Sequence, residues 1–102
     1  MTVLEMAEKT LEERWIPIAE AESCEEMRKI LEETWCEFCI RSGKRSGGRC
    51  FKCLLYINER CCDGHLRKWC EAIGDNDFPK AHDEALVIVA IIKKVRDEAK
   101  EN

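Results

Sequence analysis

Two Cys-x-x-Cys pairs constrain this chain more than any other feature. Cys36-Glu-Phe-Cys39 is followed after ten residues by Cys50-Phe-Lys-Cys53, with Cys61 and Cys62 close behind, so six of the eight cysteines fall in one stretch. A two-residue gap lets both thiolates of a pair point at one centre, and a Gly-rich spacer of hairpin length lets two such knuckles close on a single tetrahedral ion. Thiolates are soft donors, and four of them in a tetrahedron select zinc or an iron-sulfur cluster. Zinc is the primary reading, with Cys36, Cys39, Cys50 and Cys53 as ligands because two complete pairs meet without further constraint. Cys61, Cys62 and His65 stand in reserve, and one of the two adjacent cysteines is expected to be spare. An iron-sulfur cluster is the alternative cofactor.

A full thiolate shell leaves no open position for an activated water, so the expected zinc is structural and the chain is read as a non-enzyme. His82-Asp-Glu84 has the His-x-Glu half of the zinc-deaminase signature, but both Cys-x-x-Cys pairs lie upstream of it and neither follows a proline. A thioredoxin-type use of the pairs needs a strand-helix-strand setting that the pattern does not supply. His65, one turn before Trp69, is read as a polar or capping residue; a fourth ligand and the partner of a cysteine nucleophile are the other readings.

The remainder of the chain reads as helix. At 102 residues, 45% hydrophobic and 37% charged with two prolines, it is expected to form a single helix-rich domain over residues 1–102. A chain of this size buries roughly 60–65% of the surface it exposes unfolded, which supports a thin core for which the metal acts as a staple. No apolar run approaches the ~18 residues that cross a bilayer, and the first nine residues are too polar for a signal peptide. The expectation is a cytoplasmic protein with no membrane partner, in which thiols stay reduced.

Thr2 and Glu5 have capping-box form, with Leu4, Leu11, Trp15 and Ile18 on one face, and this predicts a helix over about 2–16 ending near Pro17. Ser23 and Glu26 repeat the box ahead of a helix over 24–35, with Met27, Ile30, Leu31 and Trp35 facing inward and Cys24 a free buried thiol. Trp35 is expected to anchor the core beneath the metal knuckle, which spans 36–62. Within it, residues 41–49 form a Gly/Ser-rich basic loop, and Leu54–Ile57 make a short apolar run that is either strand or helix. A third helix over 64–73 places Leu66, Trp69, Cys70 and Ile73 on its apolar face, with Gly74 to end it. After the turn Asp75–Pro79, the longest helix runs over 79–99 with Ala81, Ala85, Leu86, Val89, Ile92 and Val95 inward. Residues 85–92 are all apolar, so this helix is expected to be buried on most sides, as the spine of the domain or as a homodimer face. The fold class is mainly α: about four helices with a zinc-knuckle loop inserted between the second and the third.

Charge divides the chain in three. Residues 1–35 carry ten Glu against four Lys and Arg, residues 36–70 three acids against eight bases, and residues 71–102 eight acids against five bases. The net charge of −4 argues against a nucleic-acid coat protein, while the basic island leaves a polyanion contact open at Arg41, Lys44, Arg45, Arg49 and Lys52. The simpler role for these cations is to offset the net −2 of a four-thiolate zinc site. A phosphate-binding loop at Gly43-Lys44 is excluded, because its glycine spacing and preceding strand are missing.

In order and spacing, Cys36, Cys39, Cys50, Cys53, then Cys61 or Cys62, then Trp69 and a final helix resemble small cysteine-rich proteins of unknown function encoded by bacterial viruses and prophages. The resemblance covers roughly residues 10–97. Leu54 stands where those proteins commonly have proline after the second pair. The resemblance implies a cytoplasmic accessory protein of an infected cell that works by binding a host protein, a defence factor among the candidates. Two other functions stay open: a nucleic-acid or nucleotide binder using the basic loop 41–52, and a redox or iron-sulfur sensor.

Overall fold

Thr2 starts the first helix by exchanging two hydrogen bonds with Glu5. The Thr2 hydroxyl accepts from the Glu5 N–H and the Glu5 carboxylate accepts from the Thr2 N–H, each at 3.1 Å. In the computed structural model, which describes residues 2–34 and 63–101, this helix is α1 (Val3–Thr10). It continues without a break through a widened turn at Leu11–Trp15 into α2 (Ile16–Glu20). Then follow α3 (Cys24–Glu33), α4 (Asp63–Gly74) and α5 (Phe78–Glu101). Taking α1 to α2 as one rod, the described residues form four helical rods and no strand, a small mainly α bundle. The segment 35–62, which holds the expected metal knuckle, lies outside the described residues.

The first rod does not stop near Pro17; it runs on to Glu20. In a regular helix the proline ring would press on the carbonyl of Glu13 and supply no N–H for it. The chain instead opens the turn just before Pro17, so that the Ile16 N–H reaches the Leu11 carbonyl, five residues back. The wide turn also resets the phase of the buried face. Met6, Ala7 and Thr10 in α1 and Leu11 at the start of the wide turn are buried, and a regular helix would carry Trp15 roughly 100° away from the centre of that face. The extra width swings Trp15 back, and Trp15 and Ile18 join the core, at 2% and 0% exposure. Leu4, expected on the inward stripe, is only half-buried at its edge.

Ser23 caps α3 by accepting from the Glu26 N–H at 3.1 Å, but the Glu26 carboxylate accepts from Glu22 N–H at 2.9 Å rather than from the cap residue itself. The box is therefore shifted by one residue on its return arm. Met27 and Cys24 are buried, and Ile30 and Leu31 pack half-buried against the core. Thr34 leaves the helix in extended conformation. Trp35 lies outside the described residues.

α4 and α5 form a tight corner. The Asp77 N–H donates to the Ala72 carbonyl at 2.8 Å and the Asn76 N–H to Ile73 at 3.1 Å, with Asn76 at φ 55°. This is the Schellman closure, and its left-handed position falls on Asn76 and not on Gly74, which stays inside the last turn. Asp77 then serves the next helix, its carboxylate accepting from the Lys80 N–H at 3.3 Å.

The core lies between the first rod, α4 and α5, with α3 closing it against α2. Trp15 and Trp69 meet edge to face there, ring centres 5.6 Å apart at 80°, an arrangement that suits the aromatic quadrupoles. α5 buries Ala81, Ala85, Ile88, Val89, Ile92 and Val95. Expected inward, Leu86 is 47% exposed, and Val87 is 38% exposed. The unbroken apolar run thus turns only one face inward, because neighbours contact α5 along one side.

Candidate metal centre and its helical frame

The preferred ligands Cys36, Cys39, Cys50 and Cys53, the reserve thiols Cys61 and Cys62, and the basic residues Arg41, Lys44, Arg45, Arg49 and Lys52 all lie outside the described residues. What the structure does describe is the frame from which that segment departs and to which it returns. Among the described residues no three His, Cys, Asp or Glu side chains gather as a metal group. Candidate donors in the frame therefore come singly or in pairs.

At the departure point, the Arg14 guanidinium donates through Nη1 to the Thr34 carbonyl at 3.0 Å, and the Thr34 hydroxyl donates to the Ile30 carbonyl at 2.7 Å. Arg14 also lies over the Trp15 ring, 5.9 Å from its centre, within cation–π reach. The wide turn in the first rod thus both places Trp15 in the core and aims Arg14 at the end of α3. Arg28 reaches the Ile73 carbonyl at 3.5 Å, while the charge of Arg14, which holds Thr34, is felt by Cys70.

Cys70, expected in the core, is exposed and free. Trp69 and Ile73 take the buried face, and Cys70, one step round from Trp69, falls outside it. Although the residue is exposed, local desolvation raises its thiol above the ordinary value, against a smaller lowering by Arg14. A raised thiol carries less thiolate at neutral pH than an ordinary cysteine, which disfavours Cys70 as a nucleophile. Cys24 is buried and free, as expected.

At the return point His65 sits in the first turn of α4. Its Nδ1 lies 2.8 Å from Oε2 of Glu84 on α5, with the side chains 36% and 17% exposed. His65 is therefore a cross-link between helices rather than a cap of its own. Glu84 as its partner was not legible in the sequence: the two are nineteen residues apart, and only the packing register of α4 on α5 brings them together. His82, the other half of the deaminase-like pattern, stacks on Phe78 at 6.0 Å, and its buried Nδ1 has no partner among the described residues. Residues two apart on a helix point to different sides, so His82 and Glu84 do not form one catalytic pair.

The described residues thus define a small helical bundle whose second and third rods carry a cysteine-rich insertion between them. No protein-family model, no curated protein and no solved structure matches the chain. No described helix is long and apolar enough to cross a membrane.

Proposed function

We propose that this chain is a non-enzymatic, zinc-stapled binding protein that engages or inhibits a host protein, as a virus-encoded accessory factor acting in the host cytoplasm. The zinc is held by the cysteine insertion, with Cys36, Cys39, Cys50 and Cys53 as its foundation and Cys61, Cys62 and His65 in reserve. The observation that carries the binding reading is the acidic helical surface. Glu12, Glu13, Glu20, Glu25, Glu26, Glu32 and Glu33 are all exposed on the first rod and α3. Such a surface repels phosphate backbones and attracts a basic protein surface. The viral and host assignments rest on the resemblance of the cysteine spacing.

Opposed to this, the basic island around residues 41–52 favours a nucleic-acid or nucleotide ligand. The two readings separate in one set of measurements on protein purified without oxygen. Zinc at one ion per chain, together with capture of a host protein that is lost when Glu25, Glu26, Glu32 and Glu33 are reversed to Lys, supports the proposal. Salt-dependent oligonucleotide binding that disappears on charge reversal at Arg41, Lys44, Arg45 and Arg49 moves the nucleic-acid reading to first place. Iron with visible absorbance replaces both by a redox or iron-sulfur sensor. A concentration-dependent mass lost on substituting Leu86 and Val87 identifies a second copy of the chain as the partner.

A further inference from the structure

We propose that the outer side of α5 docks a second copy of this chain, antiparallel, about a two-fold axis level with the midpoint between Ile88 and Val89. The inference goes beyond the host-binding reading and does not depend on it, since that reading uses the acidic surface of the first rod and α3. The first observation is a row of exposed residues. Lys80, Asp83, Val87, Ala90, Lys94 and Asp97 are all exposed on α5 and follow one another at alternating steps of three and four residues. That spacing is the seam along which two helices pack side by side. Leu86, 47% exposed, and the half-buried Ile91 border the apolar centre of the row.

The second observation is the order of charges along that row, which is complementary to its own reverse. In a two-fold pair, residue i of one copy meets residue j of the other and j meets i. With the axis at that level, Lys80 meets Asp97, Asp83 meets Lys94 and Val87 meets Ala90, each pairing occurring twice. Opposite charges therefore face each other on both sides of the apolar centre. A parallel copy in the same register would set Asp83 against Asp83 and Lys94 against Lys94, so the charges select the antiparallel direction. Neither Asp83 nor Lys94 has a hydrogen bond or ion pair among the described residues, which leaves both for a partner. Asp97 accepts from the neighbouring Arg96 at 3.1 Å through one oxygen and keeps the other. The small Ala90 lets two helices approach closely. Because the apolar centre is small, the pair belongs to the weak, reversible class of interfaces. Exposed ion pairs add little affinity to it and mainly fix direction and register.

The test is analytical ultracentrifugation of the whole chain in reducing buffer, at concentrations up to the millimolar range. Wild type, Asp83→Lys, Lys94→Asp and an equimolar mixture of the two variants are compared, with far-UV circular dichroism confirming that each folds. Wild type should pass reversibly from monomer to dimer. Either variant alone sets like charges against each other in both copies of the Asp83 and Lys94 pairing, and should stay monomeric where wild type is dimeric. The mixture brings opposite charges back together at both places and should form a mixed dimer. Val87→Lys, in the apolar centre, should also stay monomeric and replaces a charge variant that does not fold. Wild type that is monomeric throughout overturns the inference, as does a dimer that the single variants retain or a mixture that stays monomeric while wild type pairs. Zinc content and host capture, which decide the host-binding reading, enter none of these outcomes.

Discussion

Asn76 holds the left-handed backbone that turns α4 into α5, at φ 55°. Left-handed geometry strains a residue with a Cβ by roughly 1–2 kcal/mol, and asparagine is among the few that relieve it locally. Asn76→Ala should lower unfolding free energy by about 1 kcal/mol while Asn76→Gly leaves it nearly unchanged, read by chemical denaturation. Gly74, which by composition looked like the helix terminator, is inside the last turn with nothing within 4 Å of an added Cβ. Gly74→Ala should therefore stabilise by about 0.5–1 kcal/mol. At Cys70 the thiol is raised in the folded chain, first by desolvation. The folded state thus keeps its proton longer than the unfolded one, a contribution complete below about pH 8.5 and lost as pH rises through the folded value. Cys70→Ser should flatten the fall of stability in alkaline buffer. With wild type at neutral pH, alkylation should reach Cys70 more slowly than a free thiol, and Cys24 only on unfolding.

Among the elements, α5 shows how a uniform apolar run acquires a direction. Residues 85–92 contain no polar residue to mark the outer face, so periodicity does not distinguish Ile88 at 0% exposure from Leu86 at 47%. The side contacted by α4 and the first rod makes that choice. Leu86→Lys should change stability by less than about 0.5 kcal/mol, whereas Ile88→Ala should cost about 2–5 kcal/mol, measured as shifts in thermal midpoint. Helix starts were more legible: Thr2, Ser23 and Pro79 stand near true starts because caps and proline act locally. Ser23→Ala should cost about 1 kcal/mol. The passage through Pro17 was not legible, since a proline reads as a stop unless the preceding turn widens. What favours widening is a nonlocal gain, the return of Trp15 to the face where Trp69 meets it.

For the whole molecule, the described core draws on all four rods: Met6, Leu11, Trp15, Ile18, Met27, Trp69, Ile88 and Ile92 are buried in it. The described residues flanking the cysteine segment are held by Arg14 at Thr34 and by His65 with Glu84. On the zinc reading, the helices are expected to keep their own core when the metal is lost. Replacing Cys36, Cys39, Cys50 and Cys53 by Ser, or chelating the metal, should leave most far-UV helical signal and α5 amide protection in place. Cooperative loss of both would instead make the metal essential to the entire fold. Helices, their caps and the clustering of thiols could be read along the chain, because capping, periodicity and Cys-x-x-Cys spacing are short-range properties of neighbouring residues. Which side of α5 is inside, the continuation of the first rod past Pro17, the exposure of Cys70 and the pairing of Glu84 with His65 emerge from packing alone. Each of these depends on the register between helices, and that register is set by the packing of side chains far apart in the chain.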